Sequence, residues 1–319
     1  MKNDLQKFAL CAISIIVLFV VMDLFVGIVL DWAMTKLPDY SGQLAKDNYR
    51  INRVDKDIVI IGSSRGSHHY VTTILDDSIA DYLGYRVPIY NGAIDGKFAN
   101  SNCCAVESIL NRYCPKLIIL EMSEGELANG GGVSDLEFSA PYYWHNSVVR
   151  DYLDRCGWKE RIKMKSSFYR YNDRALRIAK SFMTTGNDST GYEPIFGTLK
   201  DTLVIDNEKK ERSYADINQF TLENFIRVLK KCKEKNVAII VTTSPRYRPN
   251  DNNDILDSIC RCYGVPHIER YNNELFNTNL RYFKDRGHLN DIGAHVYTSL
   301  FFGDLKSYLD IYFERNNRY

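Results

Sequence analysis

The sequence predicts an α/β protein built as a three-layer α/β/α sandwich with a mostly parallel sheet. Short apolar runs alternate with helical patterns along most of the chain, as in folds that join strands by helices. The runs are apolar throughout, as expected for strands that are buried on both faces. The 319 residues, 45% of them hydrophobic, suffice for one large domain or two small ones. The 41 Lys and Arg balance 40 Asp and Glu, which gives no indication of nucleic-acid binding.

The first element is an apolar segment over residues 8–30 whose one charged residue is Asp23. About 20 apolar residues are enough to cross a bilayer. The segment lacks a small-residue cleavage site, so residues 1–34 are predicted to be an uncleaved transmembrane signal anchor. The alternative is a buried core helix. An aspartate within a membrane is costly unless it is paired, so Asp23 points to a partner in the membrane.

The orientation of this anchor is predicted from the lysines that flank it. Lys2 and Lys7 precede the segment together with the terminal amine, whereas Lys36 and Lys46 follow it. The slight excess on the first side places the N-terminus in the cytoplasm and the rest of the chain outside it. Eight cysteines without a C-x-x-C pair predict buried free thiols, which slightly disfavours an oxidising compartment. No metal or other cofactor is expected.

A polar linker is predicted over residues 35–54, followed by the domain that carries the function over residues 55–310 and a tail over 311–319. Within the domain, the predicted strands cover residues 58–61, 87–90, 117–120, 237–243 and 265–269. The predicted helices cover residues 71–83, 100–113, 222–235 and, capped by Asn290, 291–301.

The alternation of strands and helices breaks between about residues 130 and 213. Helical, aromatic and loop-like patterns there predict an insertion at the C-terminal edge of the sheet, serving as a lid or a docking surface. Five aromatic residues in it either stack on sugars or pack in the core; these are Tyr142, Tyr143, Trp144, Tyr169 and Tyr171.

Three polar segments are expected at the carboxyl ends of the strands, where open parallel sheets bind ligands. G-S-S at 62–64 presents a serine hydroxyl at the start of a helix, or is a simple helix cap. Y-N-G-A-I-D-G at 90–96 allows a ligand close to the backbone, or is an ordinary turn. Asp285 lies three residues before His288, so its carboxylate can fix the imidazole tautomer and leave Nε2 free as a base.

Two other histidines lie close to Ser64 in the sequence. His68 and His69 follow it by four and five residues, early in the next helix. They are candidates to line the cleft, but histidines so near in the chain do not easily reach back to that hydroxyl. His288 is therefore the predicted base. Arg65 is a candidate for binding a substrate anion.

Taken together, these segments resemble the SGNH, or GDSL-like, hydrolase superfamily over about residues 55–310. I-I-G-S-S-R matches its first block, and D-R-G-H-L-N-D-I-G-A matches its last block, Asp-x-x-His-Leu-Asn-x-x-Gly-Ala. The resemblance implies that Ser64 is the nucleophile and that Asp285 and His288 complete a catalytic triad. With its anchor, the chain is similar to the single-span membrane-anchored branch, which includes D-alanyl-transfer proteins of teichoic acid and polysaccharide O-acetylation-associated proteins.

The chain departs from the family pattern at two blocks. The second block is usually Asn-x-Gly-x-x-Gly; here Asn91 and Gly96 match it, and Ala93 replaces the glycine whose amide faces the oxyanion. The third block lacks its usual asparagine, and the loss of one such donor costs about a hundredfold in rate. Ser123, Asn129 or a lid residue then supplies the third donor, or catalysis is slower, or the protein is a binding relic.

The resemblance implies a membrane-anchored serine O-acyl esterase or acyltransferase acting on a cell-envelope glycan or polymer. It also implies a polytopic membrane acyltransferase as a partner. The alternative is a catalytically weak or inactive relative that binds glycan or that acyltransferase. A third reading is a lipid esterase that faces the cytoplasm.

Overall fold

A computed structural model describes residues 2–39, 42–129, 132–184, 190–200 and 212–313 of the chain. Five parallel strands form one sheet in the order β2-β1-β3-β4-β5. The strands are β1 (Ile58–Ile61), β2 (Ile89–Asn91), β3 (Leu117–Glu121), β4 (Ala238–Thr243) and β5 (His267–Glu269). All five predicted strands are therefore present, with ends that differ by up to two residues from the prediction.

The described residues contain fifteen α-helices. Those up to the end of the insertion are α1 (Lys2–Thr35), α2 (Gln43–Asn52), α3 (Ser64–His69), α4 (Thr72–Leu83), α5 (Ala99–Arg112), α6 (Glu124–Asn129), α7 (Gly132–Glu137), α8 (Ser147–Arg155), α9 (Trp158–Lys163), α10 (Ser167–Arg170) and α11 (Arg174–Met183). The others are α12 (Gln219–Glu234), α13 (Asp254–Tyr263), α14 (Glu274–Asn277) and α15 (Asp291–Tyr312).

Both faces of the sheet are covered, which confirms the three-layer architecture. Along β1, Ile58 and Ile60 join a core that includes side chains of α4 and α15. Val59 and Ile61 join the opposite core, which includes side chains of α5 and α12. Successive residues of a strand point to opposite faces, so a strand covered on both sides needs apolar residues at every position. This is why the strands are readable as continuous apolar runs.

The last helix begins where the sequence predicts but ends later. The side chain of Asn290 accepts a hydrogen bond from the Gly293 amide at 2.9 Å, as an N-cap residue does. The helix then continues to Tyr312, eleven residues beyond the predicted end. Leu305 and Leu309 are fully buried, so the apolar face of the helix extends that far. The predicted tail therefore starts within this helix.

The prediction of a polar linker over residues 35–54 was wrong, because α2 is packed into the domain. Arg50 is fully buried in this helix. It donates to Asp47 Oδ1 at 2.9 Å, to the Gly92 carbonyl at 3.2 Å and to Asn102 Oδ1 at 3.2 Å. A polar composition resembles a linker, but these groups satisfy one another once they are buried.

Helix α1 is the one helix within the described residues that is long and apolar enough to cross a membrane. Length and composition thus support a single-pass anchor. The side chains along most of the helix are exposed, whereas Ala33 and Met34 at its end, and Leu37 just after it, belong to the core. Helix α1 therefore ends inside the folded domain.

The helices of the insertion pack against α1, α2 and α5. Tyr142, Tyr143 and Tyr171 are buried in the core, so packing, rather than sugar stacking, accounts for these three aromatic residues. Trp144 is 44% exposed, and Tyr169 is half-buried. After the helices, the chain returns to the sheet edge, where the Thr190 carbonyl accepts from the Asn91 amide at 2.9 Å.

All eight cysteines lie in the described ranges, and all are free thiols. Four of them are buried: Cys103, Cys104, Cys232 and Cys260. Burial raises the pKa of the Cys232 and Cys260 thiols to about 12. Because the thiolate is the reactive form, these residues serve packing rather than chemistry.

Candidate active site

Ser64 lies on a tight turn at the carboxyl end of β1. The chain leaves the strand through Gly62, where an added Cβ would lie 2.8 Å from the Glu121 Cβ, so glycine permits this close approach. Ser63 occupies the N-cap position, yet its side chain makes no capping hydrogen bond to the described residues. Ser64 opens α3, which places its hydroxyl at the edge of the sheet.

The structure brings Ser64, His288 and Asp285 together although 224 positions separate the serine from the histidine. Ser64 Oγ lies 2.7 Å from His288 Nε2. His288 Nδ1 lies 2.9 Å from both carboxylate oxygens of Asp285. Burial opposes ionisation of Asp285, but hydrogen bonds from His288 and Gly287 hold the pKa of its carboxyl below the usual range. An ionised Asp285 accepts a hydrogen bond from Nδ1–H, which leaves Nε2 unprotonated and able to accept a hydrogen bond from the Ser64 hydroxyl.

His69 is a buried structural residue beside this group. Its Nε2 accepts from the Leu289 amide at 2.9 Å, and its Nδ1 donates to Ser244 Oγ at 2.8 Å. Burial, and then the proximity of His288 and Arg65, lowers the pKa of its imidazole well below the usual value. The neutral ring therefore fastens the segment that carries His288 to the end of β4.

His68 makes a separate pair with Asp95. Its Nδ1 donates to the Glu193 carbonyl at 2.6 Å, and its Nε2 lies 3.0 Å from Asp95 Oδ2. Burial opposes the charge, but these acceptors raise the pKa of the imidazole above its usual value. The His68 ring stands edge-on to that of His288, with centroids 5.9 Å apart. Among the three histidines, the geometry places His288 against the Ser64 hydroxyl.

An open cleft of about 220 Å³ surrounds the serine. Its lining residues are Ser63, Ser64, Arg65, Phe98, Ser123, Glu126, Arg246, Tyr271, Gly287 and His288. Arg65 is already engaged, because its guanidinium lies 3.6 Å from both Glu121 and Glu126 and stands over the Tyr271 ring. Arg246 donates to the Tyr271 hydroxyl at 2.7 Å. The cleft is therefore polar, with two arginines held in place along its wall.

The structure contradicts the expected roles of Asn91 and Ala93 in binding the oxyanion. Both residues are fully buried. The Ala93 amide donates to Asn91 Oδ1 at 3.1 Å, and Asn91 Nδ2 donates to the Gly66 carbonyl at 2.8 Å. These bonds fasten α3 to the loop after β2, so the donors are already in use. The sequence shows which residue holds a motif position but not which partner its amide meets.

The other three candidate substrate-binding residues differ in their position relative to the cleft. Gly96 is exposed in a turn with φ of 71°, a left-handed conformation that favours glycine, and it lies outside the lining of the cleft. Ser123 lines the cleft. Asn129 ends α6, and its side chain lies outside the part of the chain that the structure describes.

Sequence reasoning missed two buried glutamates behind the cleft. Glu121 ends β3 and accepts from the Tyr70 hydroxyl at 2.5 Å and from Ser244 Oγ at 2.9 Å. Glu126 Oε2 is buried and has no hydrogen-bond partner among the described residues. One available signal was a glutamate at the end of a wholly apolar strand, because a buried charge needs partners or a function.

Glu126 is expected to make folding pH-dependent. Burial, with the charge of Glu121 close by, raises the pKa of its carboxyl to about 8. Arg65 cannot neutralise both carboxylates, and Glu121 holds more donors, so Glu126 carries the proton near neutral pH. Below about pH 4.5 the group is protonated in the folded and the unfolded chain; as the pH rises towards 8 only the unfolded chain ionises, which favours unfolding.

We therefore expect Glu126→Gln to gain stability relative to wild type as the pH rises from 5 to 8.5. The gain should reach a few kcal/mol, since each unit of pKa shift corresponds to about 1.4 kcal/mol. Urea unfolding in detergent at both pH values measures it. A constant difference between the two proteins would show that Glu126 titrates normally.

Among the described residues, no group of three or more His, Cys, Asp or Glu side chains is arranged to hold a metal ion.

No family model matches the sequence, and no curated protein sequence matches it. Solved structures do. A protein described as lipolytic and of the G-D-S-L family, from Desulfitobacterium hafniense, is 7% identical with a TM-score of 0.40, covering 77% of this chain and 97% of that one. A protein described as an acylhydrolase, from Bacteroides fragilis, is 13% identical with a TM-score of 0.39, covering 85% and 99%.

A third structure, a GDSL-like lipase from Bacteroides thetaiotaomicron, is 11% identical with a TM-score of 0.39, covering 85% of this chain and 100% of that one. Similarities at this level say nothing about activity, which has to be inferred from the residues of this chain. In structure the chain is similar to proteins described as GDSL-like, the group that its own motifs resemble.

Proposed function

We propose that this chain is a membrane-anchored serine O-acyl esterase or acyltransferase that works through Ser64, His288 and Asp285. The observation that carries the proposal is the 2.7 Å contact of Ser64 Oγ with His288 Nε2, while Asp285 holds the other ring nitrogen at 2.9 Å. A serine hydroxyl is a weak nucleophile unless an oriented base removes its proton. This arrangement has the order of groups that such a step requires.

The reaction is expected to proceed by acyl transfer in two halves. His288 Nε2 takes the hydroxyl proton while Ser64 Oγ attacks an ester carbonyl, and Asp285 stabilises the imidazolium that forms. His288 then returns the proton to the departing alcohol, which leaves the acyl group on Ser64. In the second half, His288 deprotonates water or an acceptor hydroxyl, which attacks the acyl-serine. His288 then gives that proton to Ser64 Oγ as the bond to the acyl group breaks. Water gives an esterase, and a sugar or polyol hydroxyl gives a transferase.

The developing oxyanion needs donors other than the Ala93 amide, which is already paired. The cleft offers the Ser123 hydroxyl, the Arg246 guanidinium and the Glu126 carboxyl. A carboxyl whose pKa burial raises to about 8 keeps its proton near neutral pH and can donate it in a hydrogen bond. We propose that these side chains replace the asparagine that the family's third block usually supplies.

We propose a cell-envelope glycan or polymer as the acyl acceptor or ester substrate. The open, polar cleft with Phe98 and Tyr271 in its wall suits a hydroxyl-rich chain that passes across it. The lysines around α1 support a domain outside the cytoplasm, because Lys2 and Lys7 precede the apolar segment.

A fluorophosphonate probe tests the proposal, because it reacts with an activated serine. The full-length chain should be labelled, Ser64→Ala should abolish labelling, and Ser63→Ala should retain it, since His288 contacts Ser64. A membrane-impermeant form of the probe should label intact cells. Equal labelling of Ser64→Ala and wild type would refute the nucleophile, and labelling that requires permeabilised cells would refute the orientation.

One observation favours a second function, that of a catalytically weak or inactive partner protein. The Ala93 amide is paired within the fold, and the third block lacks its asparagine, so two oxyanion donors of the family pattern are missing. Such a protein would bind glycan or a polytopic membrane acyltransferase. It would resist the probe, yet co-purify with a membrane protein in a way that depends on residues 8–30.

A further inference from the structure

The uncharged stretch of α1 before Asp23 is too short to cross a bilayer by itself. The uncharged stretch between Lys7 and Asp23 has 15 residues. At 1.5 Å per residue it spans about 22 Å, whereas the hydrocarbon core of a bilayer is about 30 Å thick. The missing length must come from the turns that follow Asp23. Leu24, Phe25 and Ile28 in those turns are 59%, 66% and 70% exposed.

At the level of Asp23, α1 already contacts the insertion. Asp23 Oδ1 accepts from Ser166 Oγ at 2.8 Å and from the Phe168 amide at 2.7 Å, and its Oδ2 accepts from the Ser167 amide at 3.0 Å. An added Cβ at Gly27 would lie 2.3 Å from Ser167 Oγ, so the two helices approach closely. Helix α10 therefore lies beside the turns of α1 that are required to complete the span of the bilayer.

The contact between α1 and the insertion continues towards the end of α1 and holds the two parts rigidly together. Asp31 Oδ1 lies 3.3 Å from the Arg170 guanidinium and also accepts from the Tyr171 hydroxyl. His145 Nε2 lies 3.3 Å from Asp31 Oδ2. Arg170 is buried, and Met34 is part of the core. A helix held at several successive turns fixes the height of the domain above the bilayer.

Helices α10 and α11, which contact α1, and α9, which precedes them in the chain, expose large apolar side chains. We call this set the interfacial platform: Trp158 (65% exposed), Ile162 (57%), Phe168 (42%), Leu176 (82%), Phe182 (47%) and Met183 (86%). Single exposed apolar residues are ordinary, but a group of them beside a membrane span needs a cover.

The same segment is strongly basic. Residues 156–184 contain eight Lys and Arg against two Asp and Glu, whereas the whole chain has 41 against 40. Lys159, Arg161, Lys165 and Lys180 are exposed. Basic residues that surround exposed tryptophan and aliphatic side chains are typical of protein surfaces that lie on anionic lipid headgroups.

We propose that α9, α10 and α11 are a membrane-contacting surface of this protein. The interfacial platform enters the boundary between headgroups and acyl chains of an anionic bilayer beside α1, and the exposed lysines and Arg161 contact the headgroups. The domain then rests on the membrane instead of standing above it on a tether. This inference is independent of the chemistry proposed for Ser64.

Tryptophan fluorescence in nanodiscs tests the proposal. The chain has three tryptophans, and Trp32→Phe with Trp144→Phe leaves Trp158 as the one reporter. We expect lipids brominated in their acyl chains to quench its emission at least twofold in phosphatidylglycerol nanodiscs. The matched control keeps only Trp144. This residue adjoins His145, which contacts Asp31, and Asp31 lies about 12 Å beyond Asp23 along α1, further from the membrane. Its emission should change little.

A Trp158 emission that brominated lipid leaves unchanged, and that aqueous acrylamide quenches as strongly as in detergent, would overturn the proposal. That result would indicate that a protein partner, rather than lipid, covers the interfacial platform. The combined variant Lys159→Glu, Arg161→Glu and Lys165→Glu should weaken the lipid quenching in anionic nanodiscs. Equal quenching in the variant and its parent would overturn the part assigned to the headgroups.

Discussion

Replacement of His288 by alanine should lower kcat for p-nitrophenyl acetate by roughly 10⁶-fold, the scale seen when a serine–histidine pair loses one member. The physical reason is the 2.7 Å contact between His288 Nε2 and Ser64 Oγ, which is the route by which the hydroxyl loses its proton. Without the imidazole, the reaction must proceed through a neutral hydroxyl. Release of p-nitrophenol measures the loss for an esterase and for a transferase alike.

The combination with Ser64→Ala separates a mechanistic effect from a structural one. Because the two residues act in one step, the double variant should be no slower than His288→Ala alone, within a few fold. His295→Ala is the matched control, since His295 is half-exposed and its Nδ1 bonds to the Asp291 carbonyl in its own helix. It should retain kcat. Loss of activity that multiplies in the double variant, or an active His288→Ala, would contradict the assigned roles.

The sheet and the pair of Asp285 with His288 were predictable because their signals are local, whereas the role of Ser64 was predicted from the family resemblance. A strand that is buried on both faces is apolar at every position, as in 58–61, and the whole run is visible in the sequence. Asp285 and His288 lie three residues apart, so their contact depends on one turn of chain. The meeting of His288 with Ser64 follows once the parallel sheet brings the strand ends to one edge.

The features that the sequence did not reveal depend on partners far away in the chain. In the sequence, Arg50 is indistinguishable from a linker residue; in the structure it donates hydrogen bonds to the Gly92 carbonyl and to Asn102 Oδ1. In the sequence, Glu121 is simply the end of a strand; in the structure it accepts hydrogen bonds from the Tyr70 and Ser244 hydroxyls. In each case, hydrogen bonds to groups far away in the chain compensate the free-energy cost of removing a polar residue from water. A local sequence pattern does not show which groups those are.

The second large effect concerns α2, the helix that the sequence presents as a linker. Arg50→Ala should lower the free energy of unfolding by about 3–5 kcal/mol, because it removes the nearest partner of a buried carboxylate and leaves Lys97, at 3.7 Å, as the cation facing Asp47. Asp47 lies 2.9 Å from the Arg50 guanidinium and is 2% exposed. Urea unfolding in detergent, followed by far-UV circular dichroism, measures the change.

Arg53→Ala is the matched control for this experiment, because Arg53 lies one turn further on and its side chain is 35% exposed. An exposed pair contributes about 0–1 kcal/mol, so this variant should remain close to wild type. Equal losses in the two variants would contradict a buried role for Arg50. A selective loss would show that the buried bonds of Arg50 stabilise the fold. One of them reaches the Gly92 carbonyl at 3.2 Å, next to Asn91, which donates to the Gly66 carbonyl of α3.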